Sequence, residues 1–240
     1  VPGVPLINFV DDMLDNYIQV GIVRAVNTLL MVAAMAFGIA FAVKLCHIEN
    51  FFPTISMVPH HQYWEYAIAA AISAMGFSMI FNIQRRLLWV VAIGGIIAVC
   101  TRNFVNLGPS TDNIGLDMGL VIGSFSGAVL VSLIAIKAVH WFHVPNHVLT
   151  IPSVIPMIPG VLMYRMLFGI ININVQSIDQ VTPLMKAIES GVNSGLVIMC
   201  IALGVAIPTI FGRRFIASSK NKRLAELLKE RKARGKFVEW

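Results

Sequence analysis

Long apolar stretches separated by short polar or charged segments make up most of this 240-residue chain. Five stretches without Asp, Glu, Lys or Arg are long enough to cross the ~30 Å hydrocarbon core of a bilayer as helices. They are residues 25–43, 66–84, 118–136, 138–164 and 190–212. A sixth stretch, 87–101, is shorter, and it spans if Arg86 and Arg102 extend to opposite interfaces. The pattern predicts an all-α polytopic membrane protein with about six transmembrane elements.

Proline interrupts one of these stretches. Pro152, Pro156, Pro159 and Gly160 fall within a single apolar run that also holds Ser153. Proline removes a backbone donor, and the freed polar groups are tolerated in hydrocarbon only when they are buried in protein or line a wet cavity. Broken helices near the midplane form the substrate site of many secondary transporters. We expect an unwound, solute-facing segment here, the alternative being a structural kink. Whether the segment spans or is re-entrant stays open.

The composition indicates a membrane protein, and its positive charge is concentrated in the C-terminal tail. The chain is 57% hydrophobic and 12% charged, which excludes an ordinary soluble domain. Ten of the 18 Lys and Arg residues lie in the tail 213–240, whereas the remaining 212 residues carry a charge of about −1. The positive-inside rule predicts a multi-pass inner-membrane protein with a cytoplasmic, helical tail. That tail suits anionic lipid headgroups, and no nucleic-acid surface is expected.

A weak internal repeat relates the first span to the sixth. Val1-Pro2-Gly3-Val4 resembles Ile158-Pro159-Gly160-Val161, and Asn27 and Asn193 each lie eleven residues before a Gly-x-Ala sequence. Spans five apart point in opposite directions, as in an inverted-topology repeat. We therefore divide the chain into the end of a first repeat (1–45), an external loop (46–62), a second repeat (63–212) and the tail (213–240).

The layout resembles the threonine/serine exporter family. The sequence Phe81-Asn-Ile-Gln-Arg85-Arg86-Leu-Leu-Trp89 and the proline motif 152–160 carry the resemblance for residues 66–211. The opening Pro-Gly-Val-Pro-Leu and the span from Gly21-Ile-Val-Arg24 to Gly38 resemble the end of the first half. The resemblance implies about ten spans in two related halves, which in some members are separate chains; one such pair exports succinate. It implies a secondary transporter that exports threonine, serine or a dicarboxylate.

Two consequences concern partners. The first four spans of the first half are absent from this sequence, so the resemblance implies a missing first-half polypeptide or an N-terminal fragment of the same gene product. A homo-oligomer that completes the fold is the other possibility. The remaining partners expected are membrane lipids and a small-molecule substrate.

Arg165 is the first candidate for binding that substrate. It follows Gly160 by five residues between two apolar stretches, where a cation is costly and usually marks a pathway or a pair. A guanidinium can clamp a carboxylate with two hydrogen bonds, and both implied cargo types carry one. The alternative is that the span starts late and Arg165 extends to the headgroups.

Further polar residues cluster near span ends. Glu189 and Asn193 share a helix face with Ser190, where they would hold a substrate amine or relay protons, or else cap the helix. Asn27, with Arg24, forms the equivalent face of the first span. Asp117 opens the fourth span, either as a partner of the helix dipole or as a proton-coupling group.

The sequence gives no support to a metal site, to ATP-driven transport or to enzyme activity. Pro145 interrupts any helix that would join His140, His143 and His147, so no metal site and no cofactor are predicted. No phosphate-binding loop is present, which favours ion or proton coupling over ATP. No clustered nucleophile set is present, so an enzyme is not expected. The alternative function is a non-transporting scaffold subunit of a membrane complex.

Overall fold

The computed structural model describes residues 3–46, 62–109, 114–142, 144–171 and 181–233, and all of its regular structure there is helical. The prediction of an all-α fold is confirmed. Eight α-helices follow one another along the chain: α1 Gly3–Leu14, α2 Ile18–Leu45, α3 Tyr63–Ile80, α4 Leu88–Asn106, α5 Leu120–Phe142, α6 Asn146–Val154, α7 Gly160–Ile171 and α8 Val181–Ala233. Short 3₁₀ turns, Arg85–Leu87 and Ile155–Met157, precede α4 and follow α6.

Four helices of the described chain are long and apolar enough to cross a membrane. The qualifying segments are Ile18–Ile39, Arg85–Asn106, Leu120–Ala138 and Leu184–Thr209, and the bent pair α6–α7 makes a fifth when it is counted as one span. The remaining predicted element, α3, has 18 residues and a rise of ~27 Å, but it begins with Tyr63-Trp64-Glu65. Those polar and aromatic groups suit an interface better than the hydrocarbon core.

The outer surface of the bundle is apolar. Ile80 and Leu30 are 75% and 63% exposed, and similar side chains cover every long helix. Trp64, Trp89 and Trp141 are exposed at helix ends, where tryptophan is typical of the membrane interface. A soluble monomer rarely exposes so much contiguous apolar area, whereas acyl chains solvate it.

The central helix of the core is α5, which packs against α4 on one side and α8 on the other. Small residues allow these helices to approach closely. A Cβ added at Gly127 would come within 2.6 Å of the Ala98 carbonyl oxygen, and one added at Gly204 within 2.8 Å of the Ala128 Cβ. Ser132 adds an interhelical hydrogen bond, because its hydroxyl donates to a carbonyl of α8 at 2.9 Å.

The first and last helix pairs pack reciprocally. Helices α1 and α7 both have 12 residues, and each begins at the glycine of a Pro-Gly sequence. Helix α1 packs on α2 and α8, while α7 packs on α8 and α2. This reciprocal packing agrees with the weak repeat that relates the first span to the sixth, without showing its direction. The division into domains at 45, 62 and 212 remains a prediction.

The last helix differs from the prediction. A span starting at residue 190 and a separate tail helix starting at 213 were expected, yet α8 runs unbroken from Val181 to Ala233. Its interior includes Pro208, whose missing N–H leaves one carbonyl without its helical donor. Thr209 lies one residue later, and its buried hydroxyl is within 2.7 Å of the Ala206 carbonyl oxygen. The chain therefore stays helical across the predicted boundary at 212, and residues 234–240 lie outside the described part.

Candidate functional site at the broken helix

The proline motif produces a break between α6 and α7. Helix α6 passes into the 3₁₀ turn at Ile155, and Ile158 then adopts an extended conformation (φ −64°, ψ 126°). The chain turns immediately, since the Gly160 amide donates to the Ile158 carbonyl at 2.8 Å. The Met163 amide bonds to the Pro159 carbonyl at 3.2 Å, which closes the first turn of α7. The axes on the two sides of the break differ by 53°.

The break lies inside the span rather than at its end. Residues 146–157 rise about 20 Å before the break, and the 12 residues of α7 rise about 18 Å after it. A bend of 53° leaves about 11 Å of the second rise along the first axis. The sum is close to the ~30 Å thickness of the hydrocarbon core. By this geometry α7 continues in the direction of α6 instead of turning back as a re-entrant hairpin does.

The first part of the motif is packed into the bundle. Pro152 and Ser153 are buried, and the Ser153 hydroxyl donates to the Leu149 carbonyl at 2.7 Å. The Val91 carbonyl of α4 lies 3.3 Å from the same oxygen, so this hydroxyl also joins two helices. The structure thus places Ser153 at the contact between α4 and α6, whereas Pro156, Pro159 and Gly160 are only partly buried.

A polar pair that sequence reasoning missed faces the break. Arg102 of α4 donates from Nη1 to the Met157 carbonyl at 3.4 Å, and from Nε and Nη2 to Asn103 Oδ1 at 3.3 Å each. Asn103 is 5% exposed, and its Nδ2 has no hydrogen-bond partner among the described residues. A guanidinium and an open amide donor therefore lie beside the carbonyl that ends the 3₁₀ turn.

The prediction of a span here is confirmed, and α4 continues past Arg102 to Asn106. The helical period of α4 indicates that Arg102 lies on the packed side of the helix. Buried residues recur on α4 at Val91, Gly95, Ala98 and Val99, and this helical period leads directly to Arg102 and Asn103.

Arg165 lies farther along α7 than the break. It is partly buried, and five residues of helix, about 7.5 Å, separate it from Gly160. Helix α7 itself packs against α8 and α2. The structure supports a span that includes this position, since α7 begins at Gly160 and not later.

The polar group of α8 is not a helix cap. Glu189, Ser190 and Asn193 lie in the third and fourth turns of a helix that begins at Val181, so the capping alternative is wrong. Glu189 and Asn193 are exposed, and the Ser190 hydroxyl donates to the Lys186 carbonyl of its own helix at 2.8 Å. Glu189 and Asn193 thus lie off the packed side of α8, whereas the partly buried Ser190 lies one turn before the buried Ser194.

Asn27 lines a groove between α1 and α2. The groove has a volume of about 620 Å³ and mixes apolar with polar side chains. Arg24 forms an ion pair with Asp12 across it at 2.5 Å, and the buried Thr28 hydroxyl donates to the Arg24 carbonyl at 2.7 Å. An exposed asparagine followed by a buried hydroxyl residue thus occurs at equivalent places in α2 and α8.

Asp117 is part of a turn and not the first residue of a span. It has φ +52° and lies three residues before α5 starts at Leu120, so the predicted start is wrong by that amount. Its amide donates to the Leu107 carbonyl at 3.0 Å, beside two similar bonds from its neighbours to the end of α4. Tyr63 holds the same loop to the start of α3 through the Ile114 carbonyl, at 2.5 Å.

Metal ligation is not indicated within the described ranges. No group of three or more His, Cys, Asp and Glu residues there has a geometry that would hold a metal ion. His143, one of the three histidines considered from the sequence, lies outside these ranges.

Membrane-length helices, an apolar outer surface and a span broken around a cationic side chain define a multi-pass membrane protein of transporter type. A family model described as "Threonine/Serine exporter, ThrE" matches residues 66–211, and a second threonine/serine exporter model matches residues 1–46. The chain belongs to the threonine/serine exporter family, which makes it a membrane exporter and confirms the resemblance seen in the sequence. No solved structure matches it.

Proposed function

We propose that the chain is the second half, together with the end of the first half, of a secondary transporter that exports small carboxylate-bearing metabolites, namely threonine, serine or a dicarboxylate such as succinate. The observation that carries the proposal is the break between α6 and α7 inside a membrane span. A packed helix has no need for an interior break of 53°, and backbone polar groups at such a break are available to a solute.

The proposed mechanism is alternating access around this break. The carbonyl end of the 3₁₀ turn and the amide end of α7 meet there, so opposite partial charges face one position. Arg165 is proposed to bind a substrate carboxylate one to two turns into α7, and Ser190, Asn193 and Asn27 to contact the rest of the solute. Glu189 and Asp117 are the proposed coupling groups for protons or ions.

The first half of the transporter is proposed to cover α2. Only 17% of the membrane segment of α2 is buried, compared with 44% for its counterpart in α8. Helix α8 packs against α5 and α7, whereas α2 packs mainly against α1 and α7 among the described helices. A first-half polypeptide, or an N-terminal part of the same gene product, would supply it. We propose that this assembly lies in the inner membrane, with the basic tail in the cytoplasm as the positive-inside rule favours.

The test is efflux of labelled threonine and of labelled succinate from proteoliposomes that contain the chain with its co-purified first half. Pro156→Ala with Pro159→Ala restores two backbone donors and favours a continuous helix. We expect this variant to lose most efflux while its thermal midpoint is unchanged or raised. Pro208→Ala is the matched control, because it removes a helical proline of α8 away from the break.

Efflux of the Pro156→Ala, Pro159→Ala variant at the wild-type rate would reject the proposed mechanism. Such a result, together with normal efflux of Arg165→Gln, would favour a scaffold subunit that stabilises the other half without forming the pathway.

A further inference from the structure

The strongest polar feature outside the predicted site is the Arg102–Asn103 pair on α4. It lies at the level of the break, because the guanidinium contacts the carbonyl of Met157 directly. The oxygens that Arg102 contacts belong to the Met157 backbone and to the side-chain amide of Asn103. A cation this close to a broken span needs partners, and here backbone and amide oxygens are the ones provided.

The hydrogen bonds of this pair are incomplete. A guanidinium has five N–H groups, and three of them point to Met157 O and Asn103 Oδ1. All three distances are 3.3–3.4 Å, longer than the ~2.7–2.9 Å of a strong charge-assisted hydrogen bond. Arg102 has two further N–H groups, and Asn103 Nδ2 has no acceptor among the described residues. Asn103 is buried, so an amide without an acceptor is costly there.

The donors of Arg102 and Asn103 restrict which chemical group can act as their acceptor. Every unused group is a donor and one carries a positive charge, so an anion with two adjacent oxygens fits best. Neutral solutes and amines would leave the guanidinium uncompensated. A carboxylate satisfies both side chains at once, with one oxygen toward each.

We propose that Arg102 and Asn103 form a carboxylate-binding site at the α6–α7 break, in which the carboxylate of the exported metabolite takes the place of Met157 O as partner of the guanidinium. This inference rests on the proposed function and specifies which residues bind the shared group of its substrates. Since the same guanidinium also holds the end of the 3₁₀ turn, occupancy of the site changes the hydrogen bonding of the break itself.

The experiment measures binding of threonine and of succinate to the purified complex by calorimetry. Threoninol and succinamide serve as probes that lack the carboxylate. We expect Arg102→Gln to weaken binding of both acids by about ten- to one hundred-fold, and Asn103→Ala by about three- to ten-fold. Arg102→Lys keeps the charge but not the two-pronged geometry, and it should retain part of the affinity. Arg86→Gln is the matched control, because Arg86 is an exposed arginine in the turn that precedes α4.

Export assays on the same variants separate this inference from the proposed function. If wild-type complex exports neither acid, the proposed function fails. If it exports them, and Arg102→Gln and Asn103→Ala leave KM and affinity unchanged, the site fails while the proposed function stands. Binding of threoninol as tightly as threonine would also overturn the site. Should Arg102→Gln not fold, Arg102→Lys and Asn103→Ala with unchanged thermal midpoints decide the question in the same way.

Discussion

Gly94→Ala is the substitution whose effect follows most directly from the geometry beside the break. Gly94 of α4 faces Ser153 of α6, and a Cβ there would lie 2.4 Å from Ser153 Oγ and 3.0 Å from Ser153 Cβ. The hydroxyl can rotate only by giving up its 2.7 Å hydrogen bond to Leu149, and the Cβ is fixed by the backbone. Helices α4 and α6 therefore have to separate by several tenths of an ångström.

Two opposing terms determine the sign of this effect. Alanine is favoured over glycine in a helix by about 1 kcal/mol. Overpacking of a tight contact costs about 1–3 kcal/mol, and here it also disturbs a buried hydrogen bond. We expect a net loss of about 1–2 kcal/mol in the free energy of unfolding, which corresponds to roughly 2–8 °C in the thermal midpoint of a chain this size.

The assay is thermal unfolding in detergent, with Gly76→Ala as the matched control. Gly76 is also a helical glycine, but no atom lies within 4 Å of the position its Cβ would take. We expect Gly76→Ala to leave the midpoint unchanged or raise it slightly. Combining Gly94→Ala with Ser153→Gly removes the obstruction, so the double variant should be more stable than the sum of the two single effects predicts.

Two results would refute this reasoning. One is a Gly94→Ala variant as stable as Gly76→Ala, which would mean that α4 and α6 do not meet at this distance. The other is strict additivity with Ser153→Gly, which would locate the cost of Gly94→Ala somewhere other than Ser153.

Three further predictions concern other parts of the fold. Ser132→Ala should lower stability by about 0.6 kcal/mol, and by no more than about 1.7, because it removes one interhelical hydrogen bond, and efflux should be unaffected. Asp117→Asn should preserve the free energy of unfolding, since asparagine tolerates the left-handed region, while Asp117→Ala should lower it by about 1 kcal/mol. Loss of efflux in a stable Asp117→Asn variant would show that Asp117 has a coupling role and not only a structural one. Arg24→Gln should change the thermal midpoint by less than the equivalent of about 1 kcal/mol, because its ion pair with Asp12 is partly exposed, and a larger loss would contradict that view.

The features that sequence predicts well here are those that depend on local composition. Uninterrupted apolar runs locate the long helices because hydrocarbon leaves the backbone few alternatives to a helix. Three prolines in one run locate the break between α6 and α7 for the same reason. The same holds for α1 and α7, since both begin at the glycine of a Pro-Gly sequence and both have 12 residues.

The features that sequence reasoning misplaces depend on contacts between distant residues. The apolar run of α4 stops at residue 101, but the helix continues because the loop containing Asp117 covers its last carbonyls with three backbone donors. Arg102 consequently lies inside the bundle, next to a carbonyl 55 residues away in the chain. Ser153 likewise meets α4 at Val91, 62 residues before it. No local pattern specifies such pairs.

The continuity of α8 has a mechanical consequence. No break or cap separates its membrane segment from the basic stretch that follows, so the helix extends about 36 Å beyond Thr209. A tilt of about 10° within the bilayer would sweep the far end through roughly 6 Å at this length. Pro208, at the edge of the membrane segment, is the point of least bending resistance along this lever. Any tilt of α8 against α7 would therefore displace the far, charged end of the helix more than its membrane segment.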